Sequence, residues 1–207
     1  MSRVSLEDKN YHMRRRFEPS VLDFCSRCEG RVLDLGCGDK PFRKYLTNTE
    51  YVGFDRSALF ADVQGDALSL PFADSSFDHV LSTQVLEHVP NPFKFVSEVG
   101  RVLKDGGSAL ITTNMMWNLH TGPDDYFRFT RFGLRHLAQE ADLSPKDDIE
   151  IGTIPMRLCQ KVNDAYTYVL PQTITAVMTV LTNLLFYPLI DIDTHQDYIL
   201  VGIEIKK

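Results

Sequence analysis

The segment VLDLGCGDKP, residues 32–41, places Gly36 and Gly38 one residue apart, directly after an apolar run. Glycines at the end of a strand let the backbone approach a ligand closely, which is the chemistry of nucleotide-binding loops. A dinucleotide loop needs a third glycine, but Pro41 stands at that position. Asp34 and Asp39 flank the turn, and their negative charge favours a cationic ligand over a phosphate.

S-adenosylmethionine fits that description, because it carries a sulfonium, an ammonium and no phosphate. The chain resembles the class I S-adenosylmethionine-dependent methyltransferases, in particular the type 11 subfamily, over about residues 30–152. The resemblance implies that the backbone at Gly36, Cys37 and Gly38 approaches the methionine part of the cofactor. It also implies that Asp34 orients the loop and the ammonium group.

Two further segments extend the resemblance. YVGFDRS ends the second predicted strand with Asp55, about twenty residues after Asp34, where the family binds both ribose hydroxyls. In GDALSLPFADSSFDHVLSTQVLEHV, residues 65–89, the resemblance places three residues beside the adenine and one near the methyl group. The adenine set is Asp66, Ala67 and Leu68, and the residue near the methyl group is Gln84.

Two histidines are the candidate catalytic bases. A methyl transfer depends mainly on positioning, and a base is needed only for an acceptor that must lose a proton. His88 follows the fourth predicted strand, and His120 follows the fifth, where family members place acceptor-binding groups. An imidazole titrates near neutrality and suits proton removal. The alternative for Glu87 and His88 is that both make hydrogen bonds within their own loop.

The segment PDDYFRFT, residues 123–130, resembles a DYxRFT element found in type 11 enzymes linked to glycans and lipid-linked sugars. The resemblance implies that Asp125, Tyr126 and Arg128 line the acceptor entrance, where Arg128 could hold an anion with two hydrogen bonds. The alternative is that Asp125 and Arg128 pair to hold the loop while Thr130 caps the next helix. The two interpretations are compatible.

Strands that alternate with helices must position these residues. Short apolar runs begin at Arg31, Tyr51, Phe77 and Ala109, with a weaker one at residues 61–66, and helices are predicted over 91–103 and 131–142. We predict that PFRKYL forms a short helix. We also predict that Gly106 and Gly107 end the helix over 91–103. DDIEIGTI and YILVGIEIKK complete a Rossmann-like α/β fold, a seven-stranded and mostly parallel sheet with helices on both faces.

No charged residue occurs from Ala165 to Ile190. The sixteen residues between Pro171 and Pro188 would span roughly 24 Å as a helix, less than a bilayer core of about 30 Å. One side of that helix is apolar and the opposite side carries three threonines. This pattern is compatible with packing against the sheet, a lid over an apolar acceptor, a dimer interface or a shallow membrane contact.

Composition narrows the class of protein. The 207 residues predict a single domain, with an N-terminal helical segment over 1–29 and a helical insertion over 155–196. A net charge of −6 argues against a nucleic-acid partner. Cys25 and Cys28 have zinc-like spacing, but no second pair completes four ligands, so we expect no metal. The first ten residues contain no apolar signal region, which favours a cytoplasmic location.

The sequence thus predicts an S-adenosylmethionine-dependent methyltransferase that acts on a small-molecule or lipid- or glycan-linked acceptor, at oxygen. Alternatives are methylation of an amine or a quinone-like carbon, and a protein that senses the cofactor without turnover. Peripheral membrane contact and a homodimer are further expectations.

Overall fold

The computed structural model describes residues 5–57, 59–190 and 199–207, which form two compact units. The larger unit, Val21–Glu150 with Leu200–Lys207, contains the sheet, and the smaller unit, Met1–Ser20 with Ile151–Ile199, is helical. The strands are β1 Gly30–Leu35, β2 Thr49–Asp55, β3 Val63–Gln64, β4 Phe77–Thr83, β5 Leu103–Asn114, β6 Ser144–Ile151 and β7 Leu200–Lys206. The helices are α1 Tyr11–Ser26, α2 Pro92–Val102, α3 Arg131–Glu140, α4 Ile154–Val169 and α5 Gln172–Phe186.

The predicted α/β fold class is confirmed by the sheet topology. The strand order is β3-β2-β1-β4-β5-β7-β6, with parallel pairs from β3 through β5 and an antiparallel β5–β7 pair. Strand β1 pairs with β2 on one side and with β4 on the other, so the order of the strands changes direction at β1. In an open parallel sheet, ligands bind at the carboxyl edge beside such a change of direction. The carboxyl ends of β1, β2 and β4 therefore form the expected ligand edge.

Central strands are buried on both faces and have continuous apolar runs, as parallel strands covered by helices require. In β1, Val32, Leu33 and Leu35 are fully buried. Helix α2 begins where Asn91 accepts a hydrogen bond from the Lys94 amide at 3.0 Å, with Pro92 in the first turn. Its fully buried apolar side chains include Phe95, Val96, Val99 and Val102.

Two local predictions are wrong. Gly106 and Gly107 do not end α2, because the helix stops at Val102 and its last backbone bond is capped by the extended Leu103. The two glycines lie inside β5, which is longer than predicted, and an added Cβ on Gly107 would lie 2.8 Å from the Asp78 carbonyl oxygen. The segment PFRKYL contains only a 3-10 turn, Arg43–Tyr45, since the chain must reach β2 within a few residues.

The smaller unit contains α4, α5 and the first part of α1. Thr153 caps α4 by accepting a hydrogen bond from the Met156 amide, and Pro171 stands between α4 and α5. These two helices lie within the predicted insertion, 155–196, of which residues 191–196 lie outside the described part of the chain.

Candidate functional site

The glycine loop after β1 is not a phosphate cradle. The amides of Gly36 and Cys37 both donate to the Phe54 carbonyl, at 2.8 and 3.0 Å, and the Gly38 amide donates to Asp55 Oδ2 at 3.1 Å. Phosphate loops need such amides free to donate to the ligand. Gly36 has φ +78°, and a Cβ there would lie 2.2 Å from Val85 Cγ2, so this position requires glycine. The loop shapes a cavity wall, and its amides are already used.

A cavity of about 720 Å³ lies at the carboxyl ends of β1, β2 and β4. Among its lining residues Arg56 is the one lysine or arginine, and its guanidinium pairs with Asp124 at 2.7 Å. The carboxylates of Asp55 and Asp66 also line the cavity. A wall with more acidic than basic groups suits a cationic ligand without phosphates, and S-adenosylmethionine fits this requirement.

Most predicted cofactor residues meet in this cavity. Those in its wall are Gly36, Asp55, Asp66, Ala67, Leu68 and Gln84, and those outside the wall are Asp34, Cys37 and Gly38. The residues in the wall come from four separate loops, which the sheet brings to one edge. Their roles toward a cofactor stay predictions.

Asp34 is buried beneath the loop. Its side chain accepts a hydrogen bond from the Tyr51 hydroxyl at 2.6 Å. Burial raises the pKa of Asp34 to about 6, although the Tyr51 hydrogen bond acts in the opposite direction. The Asp34 side chain is therefore held by Tyr51 of the neighbouring strand β2, and the sequence contained no indication that Tyr51 would be its partner.

The loop that contains Asp66 is braced from α2. Asp66 Oδ1 accepts a hydrogen bond from the Leu68 amide, while the Leu70 amide donates to Glu98 Oε2 at 2.8 Å. Arg101 donates to the carbonyls of Leu70 and Phe72 and also pairs with Glu98. These hydrogen bonds hold the turn that follows the predicted adenine residues.

Gln84 occupies a strained backbone conformation at the cavity. Its φ is +58°, a region that residues other than glycine rarely adopt, and its amide donates to the Thr112 carbonyl at 2.9 Å. Thr121, on the opposite wall, has φ +51°. Strain of this kind concentrates at functional sites and persists because the surrounding structure holds it.

The two candidate bases lie side by side, with ring centroids 4.8 Å apart, but only His88 lines the cavity. His88 Nδ1 lies 2.5 Å from the Asp124 carbonyl oxygen. A carbonyl only accepts, so Nδ1 must carry the proton and Nε2 keeps its lone pair. The Thr121 hydroxyl lies 3.4 Å from that Nε2. His120 Nδ1 lies 3.1 Å from the Asn118 carbonyl oxygen. The His120 ring packs beside the His88 ring.

Glu87 is buried directly behind His88. Its two carboxylate oxygens accept hydrogen bonds from the Thr113 hydroxyl and from the side-chain amide of Asn114. Burial raises the pKa of Glu87. Glu87, His88 and His120 could place three ligand atoms within 4.8 Å of one another. Both Glu87 oxygens are already engaged in bracing β5, so we assign no metal to this group. The side-chain hydrogen bonds of Glu87 and His88 thus connect their loop to β5 and to Asp124 and do not lie within the loop itself.

The acceptor-side segment is held by ion pairs. Arg128 donates to both carboxylate oxygens of Asp125, and the guanidinium holds the pKa of that carboxyl well below its usual range. Thr130 caps α3 by accepting from the Gly133 amide. Arg128 is therefore engaged within the loop, as the structural interpretation of this segment predicts, and Tyr126 is the predicted acceptor residue that lines the cavity.

Among the residues of this wall that sequence reasoning missed are Arg56, Thr121 and Asp124. Asp124 connects other parts of the wall, because its carboxylate accepts from Arg56 and from the Tyr126 hydroxyl while its carbonyl accepts from His88. Arg56 directly follows Asp55, and Asp124 directly precedes Asp125, so adjacency to a predicted residue was the available indication. Residues 56 and 124 are far apart in the chain, and their pairing could not be read from spacing.

Comparisons with known proteins agree with this geometry. Residues 33–111 match the family model described as a methyltransferase domain. A crystal structure of an S-adenosylmethionine-dependent methyltransferase from Mesorhizobium loti has the same fold, with a TM-score of 0.61 at 15% identity. That similarity covers 92% of this chain and 97% of the other.

Two curated relatives come from Mycolicibacterium smegmatis. One, named a probable S-adenosylmethionine-dependent methyltransferase, is 34% identical over 122 residues, which cover 52% of this chain and 47% of the relative. The other, named a fatty-acid O-methyltransferase, is 37% identical over 99 residues, which cover 40% and 36%. The matched part is thus about half the length of these relatives or less. Residues 33–111 thus match a methyltransferase-domain family, and over this part the chain is similar to S-adenosylmethionine-dependent methyltransferases.

Proposed function

We propose that this protein transfers a methyl group from S-adenosylmethionine to an oxygen of a small-molecule or lipid-linked acceptor. The observation that carries the proposal is one cavity that combines the predicted cofactor residues with a histidine whose Nδ1 is held by a backbone carbonyl. The relative named a fatty-acid O-methyltransferase supports an apolar acceptor with a reactive oxygen.

S-adenosylmethionine supplies an electrophilic methyl group, and an acceptor hydroxyl that takes this group must release its proton. We assign that proton to His88 Nε2, because the hydrogen bond from Nδ1 to the Asp124 carbonyl leaves Nε2 as the basic nitrogen. His120 packs against the His88 ring and lies outside the cavity wall, so we assign it a positioning role. Asp55 is the proposed partner of the ribose hydroxyls.

The remaining lining residues favour exclusion of water around the reacting groups. Val85, Val89 and Pro90 place apolar surface beside His88, and Tyr126 covers the outer wall. A site that excludes water strengthens its electrostatic interactions and prevents side reactions. The fixed backbone at Gln84 and Thr121 keeps both walls in place before an acceptor arrives.

The test is methyl transfer from labelled S-adenosylmethionine into total lipid extract and into water-soluble extract, with His88→Asn as the variant. Asparagine can still donate to the Asp124 carbonyl but has no basic nitrogen, so turnover should fall roughly 10²- to 10⁴-fold while cofactor affinity is kept. His120→Asn, the matched control, should lose much less. Asp55→Ala should abolish cofactor binding in a calorimetric titration.

The outcomes separate the alternatives. No labelled product in either extract would favour a protein that senses the cofactor without turnover. Product in which NMR places the labelled methyl group on nitrogen or carbon would indicate an amine or carbon acceptor. A larger loss in His120→Asn than in His88→Asn would contradict the assignment of the base.

A further inference from the structure

Helix α5 has its polarity reversed. Its fully or almost fully buried residues are Thr179, Thr182 and Asn183, whereas α4 buries the apolar Met156 and Cys159 together with polar residues such as Asn163. The apolar side chains of α5 are instead exposed, and they are Ile174, Val177, Leu181, Leu184 and Leu185. A helix in a water-soluble unit normally buries its apolar stripe.

Hydrogen bonds stabilise the reversed arrangement. Asn183 Nδ2 donates to the Leu6 and Asp8 carbonyls, and its Oδ1 accepts from Asn163 Nδ2 at 3.0 Å. Asn163 Nδ2 also donates to the Lys9 carbonyl at 3.1 Å. Buried amides with satisfied hydrogen bonds fix which side of a helix faces inward. The polar side of α5 is therefore its inner side, and the apolar side is left outward.

The outward surface is large and continuous along α5. Leu185 is 71% exposed, Val177 is 59% exposed and Leu181 is 55% exposed. Apolar patches of this extent on a soluble unit indicate an interaction site. By length and composition alone, Gln172–Leu189 is long and apolar enough to cross a membrane. Because its opposite side packs polar groups within the unit, the helix is better suited to lie along a bilayer surface.

Basic and aromatic residues flank this surface. Tyr168 is exposed at the end of α4, and the Arg15 guanidinium lies 4.8 Å above the ring of Tyr187, which follows α5. Arg15 is exposed, whereas the neighbouring Arg14 already pairs with Asp8 and Glu18, at 2.7 and 2.9 Å. Tyrosines and cationic side chains at the edge of an apolar face match the headgroup region of an anionic membrane.

We propose that the apolar side of α5, with its tyrosine and arginine flanks, binds the surface of an anionic lipid bilayer. A second copy of the chain could cover the same apolar surface, and this occupant is the alternative that the test must exclude. An anionic bilayer covers the leucines and also places anionic headgroups beside Arg15. The proposal does not depend on methyl transfer, because the binding can be measured without cofactor or acceptor.

The test is cosedimentation of the full chain with phosphatidylcholine vesicles that contain about one third phosphatidylglycerol, compared with phosphatidylcholine alone. Leu185→Glu should weaken binding about tenfold or more, since it removes an apolar side chain from the bilayer contact and adds a negative charge. Phe132→Glu, at an exposed apolar residue of α3, is the matched control and should bind like the unchanged chain. Added salt should weaken binding to the anionic vesicles.

Sedimentation velocity without vesicles shows whether a second copy of the chain, rather than a bilayer, covers the apolar side of α5. A chain that dimerises, that becomes monomeric on Leu185→Glu and that ignores both kinds of vesicle would overturn the proposal in favour of a second copy. Equal vesicle binding by Leu185→Glu and by the unchanged chain would also overturn it. Because Leu185 is exposed, we expect Leu185→Glu to fold, and circular dichroism checks this.

Discussion

At the scale of single residues, the candidate site depends on side chains that one or two neighbours hold in place. Asp34 is held by the Tyr51 hydroxyl, and His88 is held by the Asp124 carbonyl. Neither neighbour was predictable from sequence, because tyrosine hydroxyls and backbone carbonyls have no characteristic spacing from the groups that they contact. The acidic and glycine residues themselves were predictable, since their order along the chain matches a known family.

Tyr51→Phe should destabilise the protein in a pH-dependent way. The folded-state pKa of Asp34, about 6, lies above its unfolded value, so its contribution to stability is complete below pH ~4 and is lost as the pH rises through 6. Removing the hydroxyl donor raises the pKa of Asp34 further and leaves a buried carboxylate with one hydrogen bond fewer. Urea unfolding should show a loss of ~1.5–3 kcal/mol at pH 8 and a smaller loss at pH 5.

Tyr45→Phe in the preceding turn is the matched control, and its change should stay within ~0.5 kcal/mol at both pH values. An equal loss at pH 5 and pH 8 for Tyr51→Phe would mean that the hydroxyl contributes by packing and does not stabilise the Asp34 carboxylate.

At the scale of elements, α2 does more than cover the sheet. Glu98, almost fully buried, accepts from the Leu70 amide and from Arg101, and these contacts hold its pKa at about 2. The helical period predicted the apolar side of α2 correctly. It could not show that Glu98 turns inward, because a glutamate among apolar residues is usually solvated.

Glu98→Gln should loosen the turn at residues 70–72, which directly follows the predicted adenine residues. Breaking this buried pair leaves Arg101 with Asp74 as its remaining carboxylate partner, and we expect a loss of ~2–4 kcal/mol in the free energy of unfolding. We also expect cofactor affinity to fall several-fold in calorimetry. Because the folded pKa lies below the unfolded value, the stability from Glu98 is present above pH ~4.5 and lost as the pH falls toward 2.

Lys94→Gln provides the comparison, because Lys94 contacts the same carboxylate from an exposed position and should matter by less than ~0.5 kcal/mol. If Glu98→Gln and Lys94→Gln lose stability equally, the Lys94–Glu98 pair accounts for the loss. Unchanged cofactor affinity in Glu98→Gln would show that the turn does not position the cofactor.

At the scale of the whole molecule, the described residues divide into a sheet unit and a helical unit, whereas the length of the chain predicts a single domain. Hydrogen exchange can show whether the two units unfold together, that is, as one cooperative domain. Asn183 is the most informative position in the helical unit, because it is fully buried and joins α4, α5 and the segment before α1.

Asn183→Ala should leave the Leu6 and Asp8 carbonyls without this donor, at a cost of ~2–4 kcal/mol. Hydrogen exchange should accelerate in α4 and α5, while β1, β4 and β5 keep their protection and cofactor affinity stays unchanged. Thr173→Ala, at an exposed position of α5, should change none of these quantities. Accelerated exchange throughout the sheet would instead show that the chain unfolds as one cooperative domain.

The sequence by itself determined the order of strands and helices, the glycine loop after β1 and the acidic residues after β2 and β3. These features follow from local periodicity and short motifs, and local interactions suffice to specify them. Only the tertiary structure decided that the loop amides are used by Phe54 and Asp55, and that His88 rather than His120 lines the cavity. Only the tertiary structure also decided that α5 buries Thr179 and Thr182 and exposes its leucines. Periodicity reveals that a helix has two sides, but contacts between distant segments determine which side is buried.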